Sequence, residues 1–310
     1  MNKELDLIIV GAGIAGVNAA VYAKRSGLDF KIFESGAVGG QLFYMERIDN
    51  YLGIKLGTKG RELAKNLAES LSGLDISVED DKITHIEWQK KMFEVSTRKN
   101  QYKSKAIIVA TGSSFKKLGL KSEARFSGKG VSYCAVCDGF FFKGKDVAVV
   151  GGGNTAVEEA LYLANFAKSV TLIHRRDKLR ALEYLQKNLL EKDNVKIIYN
   201  HTVKEVVGDH RVKSLVLEEA TQGQKKDLVL DGLFVAIGAS PNTDICNGLV
   251  SRDKNGFVLT DDKMKTSHDF IWACGDCRKR PLRQLITAAA EGAVASIEVY
   301  KTIRQNYLSV

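Results

Sequence analysis

The chain lacks any long apolar run. No window of its 310 residues approaches the roughly 18 uninterrupted apolar residues that a membrane-spanning helix needs. It also lacks the apolar core of a secretory signal peptide, because the first apolar run, Leu5 to Val10, is only long enough for a strand. These absences favour a globular protein of the cytoplasm, a compartment in which permanent disulfides are disfavoured.

Cysteine is scarce, with 5 residues in the chain, and two of them form a Cys-x-x-Cys motif at Cys134 and Cys137. Such a motif can supply half of a zinc site, but no second ligand pair at zinc spacing follows it, so we expect no metal. Two cysteines three residues apart can also close and reopen a small disulfide ring. We therefore interpret the pair, which Asp138 and Gly139 follow directly, as a redox-active dithiol.

Charge of one sign is not concentrated in any part of the chain. The formal net charge is +9, but the lysines and arginines are spread along the sequence among 37 acidic residues. This excess is typical of a solvated basic surface, with an acidic protein partner or anionic cofactors as the alternatives. Nucleic acid is not an expected partner.

The sequence begins with a strand, a glycine-rich turn and a helix. Residues 11–16 read Gly-Ala-Gly-Ile-Ala-Gly and precede a helical pattern that reaches Lys24. These glycines permit a tight turn, a close pyrophosphate and close packing of helix on strand. A second strand, Phe30 to Phe33, ends in Glu34, where an acid binds a ribose hydroxyl pair and repels a 2′-phosphate. This site therefore suits FAD or NAD.

The same unit is repeated after the dithiol. An apolar strand, Asp146 to Val150, precedes the residues Gly-Gly-Gly-Asn-Thr-Ala at 151–156 and a helix. The next strand, Ser169 to Ile173, ends not in an acid but in His174 and two arginines, with a third arginine at position 180. Guanidinium groups at this tip pair with a 2′-phosphate, so we expect NADP(H) here and FAD at the first site. An exposed basic helix start is the alternative.

The remaining segments surround these two units. We predict loops at 39–42 and 49–53, a helix over 61–71, strands over 83–88, 92–97 and 106–110, and a strand after Asn255-Gly256. The strand over 106–110 closes with Thr111-Gly112, a turn that brings backbone close to a ligand. A second apolar strand ends in Gly275-Asp276, which can place a carboxylate against a flavin tail, and an Ala-rich helix runs from Leu285 to about Ile303.

These motifs, in this order, resemble those of the low-molecular-weight thioredoxin reductases of bacterial type over essentially the whole chain. The segments that carry the resemblance are 11–16, 39–42, 110–112, 134–138, 151–159, 174–177 with Arg180, and 275–276 with Arg283-Gln284. Any two of them are common among flavoproteins. A dithiol between the two nucleotide motifs separates this family from its relatives.

The resemblance implies an α/β fold of two Rossmann-like three-layer nucleotide-binding domains, the second inserted into the first. The FAD domain would comprise 1–113 and 244–310, and the NADPH domain 114–243. Hydride would pass from NADPH to FAD and then to the disulfide, with a rotation of the NADPH domain between the steps. Cys137 would face the flavin, Cys134 would attack a thioredoxin disulfide, and Asp138 would protonate the outgoing thiol. A homodimer is also implied.

The cofactor contacts expected from these motifs fall into two sets. For FAD they are Gly11, Gly13, Ile14, Ala15, Gly16, Glu34, Gly40, Gln41, Leu42, Asn50, Ile83, Ala110, Thr111, Gly112, Asp276, Arg283, Gln284 and Leu285. For NADPH they are Gly151, Gly153, Asn154, Thr155, Ala156, His174, Arg175, Arg176, Arg180 and Ile237.

Some positions depart from the family pattern. Ile14 and Leu52 stand where prolines are common, and Phe43-Tyr44-Met45 replaces a threonine-rich run, all around the expected flavin pocket. Cys274 and Cys277 form a second Cys-x-x-Cys, which we interpret as structural because cysteine is a frequent small buried residue. Cys246, without a partner in sequence, has the same interpretation.

Three other functions share part of this layout. A ferredoxin or flavodoxin NADP reductase has two nucleotide sites but does not need the dithiol. A reductase of a peroxiredoxin system usually has an additional N-terminal dithiol domain, whereas the first strand here starts at Leu5. A flavin-binding redox sensor responds by changing its conformation and does not turn over a substrate.

Overall fold

The computed structural model describes residues 4–45 and 47–307, except for the side chains of Tyr44 and Tyr307. The strands, in chain order, are β1 (Glu4–Val10), β2 (Phe30–Glu34), β3 (Val78–Asp80), β4 (Ile83–Gln89), β5 (Met92–Thr97), β6 (Gln101–Val109), β7 (Ser113–Phe115), β8 (Val131–Ser132), β9 (Asp146–Val150), β10 (Ser169–Ile173), β11 (Val195–Ile198), β12 (His201–Gly208), β13 (Val212–Glu219), β14 (Lys225–Val229), β15 (Gly232–Val235), β16 (Ala239–Pro241) and β17 (Ile271–Ala273). The helices are α1 (Ile14–Arg25), α2 (Gly60–Gly73), α3 (Lys121–Phe126), α4 (Ala135–Asp138), α5 (Asn154–Ala164), α6 (Glu183–Leu190) and α7 (Leu285–Tyr307). Shorter 3₁₀ helices span Gly40–Tyr44, Gly139–Phe142, Asp244–Cys246 and Gly275–Cys277.

The chain divides into two compact units. The first contains Met1–Met45, Tyr51–Ser114 and Ser240–Val310, and the second contains Glu46–Asn50 and Phe115–Ala239. The chain crosses between them on two neighbouring strands, because β7 pairs with β16. Within the described ranges, no helix combines the length and the apolar composition that crossing a membrane requires.

The first unit has a mixed sheet in the order β3-β2-β1-β6-β5-β4, with β17 on β6. Strand β1 lies parallel to both β2 and β6, while β4 and β5 are antiparallel additions at one edge. A parallel strand is covered on both faces, which explains why Leu7 to Val10 read as a continuous apolar run. The carboxyl end of β1 is a switch point, since the chain continues to β2 on one side and β6 lies on the other.

Helices α1 and α7 cover one face of this sheet and contact each other closely. A Cβ on Gly292 of α7 would lie 2.0 Å from the carbonyl oxygen of Ala15, so only glycine permits this crossing. Buried alanines of both helices, Ala19 and Ala288 among them, join the same core. The Ala-rich composition of α7 therefore reflects a close helix–helix contact.

The second unit has a five-stranded sheet in the order β11-β10-β9-β15-β8, all of whose pairs are parallel. Strand β9 occupies the switch point here, as β1 does in the first unit. A separate antiparallel sheet, β12-β13-β14, adds a hydrophobic core that includes Leu215 and Leu217. Both units are thus α/β layers around a central parallel strand, which confirms the predicted fold class.

Two segments differ from the sequence prediction. No strand follows directly on Asn255-Gly256 in the described chain, where isolated bridges pair Val258 with Arg252 and with Arg278. The Asp253 carboxylate accepts the N–H groups of Asn255 and Phe257 at 2.8 and 3.0 Å, and this local turn replaces a strand ladder. Residues Gly40–Tyr44, predicted as part of a loop, form a 3₁₀ helix instead.

The first glycine turn supplies a matched test of the fold. A Cβ on Gly16 would lie 1.9 Å from the carbonyl oxygen of Gly11, whereas a Cβ on Gly13 would meet no atom within 4 Å. We expect Gly16→Ala to lower the free energy of unfolding of the FAD-free protein by at least about 2 kcal/mol. Gly13→Ala should change it by less than about 0.5 kcal/mol. Denaturant unfolding measures both, and equal effects of the two variants would contradict this packing.

Candidate active site

The Cys-x-x-Cys motif lies between β8 and the short helix α4, and its two cysteines form a disulfide with Cα atoms 5.3 Å apart. Both cysteines are partly exposed. The Sγ atom of Cys134 accepts the backbone N–H of Cys137 at 3.2 Å. A hydrogen bond to this sulfur favours its thiolate form, so the local backbone assists any reaction that opens the ring.

A buried serine connects the dithiol with the acid that follows it. The hydroxyl of Ser132 donates to Oδ2 of Asp138 at 2.6 Å and accepts the backbone N–H of Cys134 at 3.2 Å. Asp138 is therefore held beside the first cysteine by a side chain to which the sequence analysis gave no role. Short polar residues before a Cys-x-x-Cys are a weak signal, and only the structure shows this contact.

A second carboxyl group, also missed by the sequence analysis, faces the same acid from helix α5. Burial raises the pKa of Glu159, a hydrogen bond from the backbone N–H of Ala135 opposes the shift, and the charges of Asp138 and Glu158 add to it, so that the pKa is about 7. Its Oε2 atom is buried and has no hydrogen-bond partner among the described residues. The helical pattern of α5 predicted a core face but not this carboxyl group within it.

The first nucleotide motif forms an open cradle at the carboxyl end of β1. Gly11 has φ +101° and approaches Ala110 so closely that a Cβ would lie 2.6 Å from the Ala110 carbonyl oxygen. The space above Gly13 is open. A Cβ on Gly40 would lie 3.5 Å from the Cα atom of Gly13. The structure thus brings segments 11–16, 39–42 and 110–112 together at one end of the sheet.

Glu34 closes this cradle on the side of β2. Its Oε2 accepts the backbone N–H of Ala12 at 2.8 Å, and its Oε1 accepts that of Gly36 at 2.9 Å. The carboxylate is therefore fixed at the edge of the glycine turn, where a ribose would reach it. Gln41 donates to the Ser113 carbonyl at 2.5 Å, and the buried hydroxyl of Thr111 lacks a hydrogen-bond partner in the described chain.

A buried ionic network holds the Gly275-Asp276 turn against the start of α7. Glu291 binds Arg278 at 2.7 Å and Arg280 at 2.8 Å, and it accepts the backbone N–H of Gly275 at 2.8 Å. Arg280, whose side chain is 2% exposed, also binds Asp276 at 3.0 Å. Burial raises the pKa of Asp276, and Arg280 and Arg283 partly offset that rise. The sequence analysis found Asp276 but neither the arginines at 278 and 280 nor Glu291.

Arg283 lies beside this network and has unused hydrogen-bonding capacity. Its guanidinium stacks 4.3 Å from the ring centroid of Phe257, and its buried Nε has no partner among the residues described. Burial lowers its pKa by disfavouring the charged form. An anionic or carbonyl group of a ligand would satisfy this donor.

The second nucleotide motif repeats the geometry of the first. A Cβ on Gly151 would lie 2.4 Å from the Ala236 carbonyl oxygen, while the space above Gly153 is open. Gly152 is covered by His174, since a Cβ there would lie 2.2 Å from the imidazole. His174 is buried, which lowers its pKa, and its Nε2 lacks a hydrogen-bond partner in the described ranges. At neutral pH this ring is uncharged and supports the turn.

The arginines of this motif are exposed and converge on the same loop. The backbone N–H of Arg180 donates to the Gly152 carbonyl at 2.6 Å, which places it next to the glycine turn. Arg175 and Arg176 follow His174 directly. Within the described part of the chain, no ion pair or side-chain hydrogen bond uses any of these three guanidinium groups, so their charge is available to an anion.

The remaining predicted contacts differ in exposure. Ile14, Leu42 and Ile83 are buried in the core, so only their backbone could face a ligand. Ile237 is 38% exposed, and Asn50 is exposed in the segment Glu46–Asn50 that groups with the second unit. Ala15, Asn154, Thr155, Ala156, Gln284 and Leu285 lie at the N-terminal ends of helices α1, α5 and α7. Leu52, a departure from the family pattern, is 94% exposed, and the Tyr44 side chain lies outside the described residues.

The other three cysteines are free thiols in the core of the first unit. Cys274 and Cys277 have no measurable exposure, and Cys246 has 1%. Burial raises the pKa of Cys246 and of Cys277 to about 12, and it raises that of Cys274 as well. Because the thiolate is the reactive form, their burial supports a structural role for all three.

Comparison with known proteins gives one consistent family. A model of the Pyridine nucleotide-disulphide oxidoreductase family matches residues 5–292. Thioredoxin reductase of Bacillus subtilis (strain 168) is 38% identical over 304 residues, which cover 98% of this chain and 96% of that protein. Thioredoxin reductase of Borreliella burgdorferi is 40% identical over 295 residues, which cover 95% and 90% of the two chains. The crystal structure of thioredoxin reductase from Streptococcus pyogenes MGAS5005 has a TM-score of 0.94 and 40% identity, and it covers 98% of this chain and 100% of that one.

The ionic network around Glu291 predicts that removal of the Glu291 charge strongly lowers the stability of the fold. Glu291→Gln leaves the partly buried Arg278 without its carboxylate and the buried Arg280 with Asp276 alone, which should cost about 3–5 kcal/mol of unfolding free energy. Glu69→Gln, which breaks an exposed pair with Lys65, should cost less than about 1 kcal/mol. Denaturant unfolding compares the two variants, and a Glu291→Gln variant as stable as the Glu69→Gln control would contradict the role of this network.

Proposed function

The chain belongs to the thioredoxin reductases of the pyridine nucleotide-disulphide oxidoreductase family, and from this premise we propose how its residues divide the reaction. Electrons pass from NADPH to FAD, then to the Cys134–Cys137 disulfide, and from the resulting dithiol to thioredoxin. The observation that carries this assignment is the disulfide between Cys134 and Cys137, in the unit that also contains the arginine-bearing nucleotide loop.

The residues of the first unit fit FAD. The open space above Gly13, beside Gly40, accommodates a pyrophosphate, and Glu34 accommodates ribose hydroxyls. The unpartnered atoms Thr111 Oγ1 and Arg283 Nε are suited to polar groups of the same ligand. When bound, the flavin accepts a hydride and passes two electrons to the disulfide.

The residues of the second unit fit NADPH. Gly153 leaves room for a pyrophosphate, and the exposed Arg175, Arg176 and Arg180 supply charge for a 2′-phosphate. Uncharged His174 supports the turn from below. An acid at this strand tip, like Glu34 in the first unit, would repel that phosphate.

The two cysteines have separate roles in this proposal. Cys137 is the inner sulfur, which takes electrons from the flavin. Cys134 is the outer sulfur, whose thiolate attacks one sulfur of the thioredoxin disulfide, and Asp138 protonates the thiolate that leaves. Cys137 then attacks Cys134, which releases the second thioredoxin thiol and restores the disulfide.

Further proposals concern motion and assembly. The NADPH domain, about residues 114–243, turns about the paired strands β7 and β16 between the two half-reactions. Gly112 and Gly238, with φ of +65° and +108°, flank these crossings. The protein acts as a homodimer in the cytoplasm, and its basic surface favours an acidic face of thioredoxin.

The arginine cluster predicts nucleotide preference. Replacement of Arg175, Arg176 and Arg180 with glutamine should lower kcat/KM for NADPH at least about 100-fold, because each charge-assisted hydrogen bond contributes about 1.5–3 kcal/mol. The value for NADH should change less than about threefold. As a control, Lys187, Lys196 and Lys225, which are exposed cations of the same unit, are replaced with glutamine. An unchanged NADPH preference in the arginine variant would place selectivity elsewhere.

The separate roles of the two sulfurs predict different results for the two single variants. Cys137→Ser should accumulate a stable mixed disulfide between Cys134 and thioredoxin, because the resolving thiol is absent. Cys134→Ser should trap little thioredoxin and should show a long-wavelength charge-transfer band from Cys137 near the flavin. Both should retain flavin reduction by NADPH, which uses no sulfur. Gel analysis and absorbance spectra measure these outcomes, and Cys274→Ser with Cys277→Ser is the control, expected to retain thioredoxin reduction. Loss of turnover in that control alone would show that the wrong pair was assigned.

A further inference from the structure

Helix α5 contributes a carboxyl group next to the dithiol to which the reaction described above gives no role. Glu159 is mostly buried, and the backbone N–H of Ala135, between the two cysteines, donates to its carboxylate. Its Oε2 is buried and unpartnered within the described chain. A buried carboxyl oxygen without a donor favours a bound proton over a negative charge.

Among the described residues, two charged groups act on Glu159, and both are acidic. They are Asp138 on helix α4 and Glu158 on its own helix, and each raises its pKa. Of these, Glu158 is exposed, whereas Asp138 is partly buried and its Oδ2 accepts the Ser132 hydroxyl. The interaction between two neighbouring carboxylates is mutual, so a negative Glu159 also strengthens proton binding by Asp138.

We propose that Glu159 is a positioning residue for Asp138, and that the two carboxyl groups share one proton at neutral pH. The inference rests on the proposed function, since it concerns the acid that serves the dithiol. A lone partly exposed aspartate is ionised at neutral pH and cannot protonate a leaving thiolate. A carboxyl pair that holds one proton keeps such an acid available, as two like charges in one site cannot both ionise easily.

The proton and the electrons balance in this scheme. Cys134 forms a bond with one thioredoxin sulfur, the thioredoxin disulfide breaks, and the departing thiolate takes the shared proton. Cys137 then gives up its own proton to the ionised pair and attacks Cys134, which releases the second thioredoxin thiolate. That thiolate takes a proton from water. Two electrons move from the dithiol to thioredoxin, and the pair ends with the one proton it held at the start.

The test separates the two half-reactions of the holoenzyme over a range of pH. Flavin reduction by NADPH is followed anaerobically by absorbance, and thioredoxin thiols are counted by rapid quench and alkylation after the reduced enzyme meets oxidised thioredoxin. For Glu159→Gln we expect the alkaline decline of thioredoxin reduction to move at least about one pH unit lower. The variant should then be about tenfold slower than the wild type at about pH 8, but within about threefold at about pH 5.

Two controls make the outcome specific. Glu205→Gln, which removes an exposed carboxylate of the same unit, should keep the wild-type pH profile. Flavin reduction in Glu159→Gln should remain within about twofold of the wild type, because no sulfur and no shared proton take part in that step. A variant-to-wild-type ratio that is equal at both pH values would indicate a structural role only and would overturn the inference.

A measurement on the wild-type holoenzyme keeps the inference testable if the Gln variant loses its flavin. Infrared difference spectra should show loss of a protonated-carboxyl absorbance between about pH 6 and pH 8. Absence of any such band would overturn the inference. Wild-type enzyme that passes no electrons from NADPH to thioredoxin would instead refute the proposed function itself, so the two failures are distinguishable.

Discussion

Close contact between a helix start and the end of a buried strand is the constraint on which both nucleotide sites depend. In the first unit Gly16 lies over the Gly11 carbonyl, at a distance that excludes even a methyl group. In the second unit a Cβ on Gly151 would lie 2.5 Å from the Cβ of Ala156 in α5 and 2.4 Å from the Ala236 carbonyl oxygen. The same contacts leave Gly13 and Gly153 facing open space. Close packing needs a glycine that touches neighbouring backbone, whereas ligand access needs a glycine that faces open space. Different glycines of the same turn meet these two requirements.

Charge then distinguishes two sites that share this backbone. Glu34 is tied to backbone N–H groups at the tip of β2, whereas Arg175 and Arg176 follow the equivalent strand β10 and remain exposed. The sign of the charge at the strand tip is the basis on which we propose FAD for the first unit and NADPH for the second. Beside the disulfide, the Ser132 hydroxyl donates to Asp138 and the backbone N–H of Cys137 donates to the Cys134 sulfur.

The fold class, the cofactors and the family could be predicted from sequence, because each depends on short motifs whose physical requirements are local. Glycine turns, strand tips and Cys-x-x-Cys spacing are all of this kind, and the comparisons confirm what they indicated. The Glu291 network and Glu159 could not be predicted in the same way, since each joins elements far apart in the chain or depends on which helix face is buried. The strand expected after Asn255-Gly256 was wrong because Asp253 forms a local turn there.

The central claim is that electrons from NADPH reach Cys134 and Cys137 and no other cysteine. Thiol alkylation of the FAD-loaded protein, with and without NADPH under anaerobic conditions, followed by peptide mass spectrometry, tests it most directly. The account predicts that NADPH makes Cys134 and Cys137 newly reactive, whereas Cys246, Cys274 and Cys277 stay unlabelled in the folded protein because they are buried. NADPH-dependent labelling of Cys274 and Cys277, or none at Cys134 and Cys137, would contradict it.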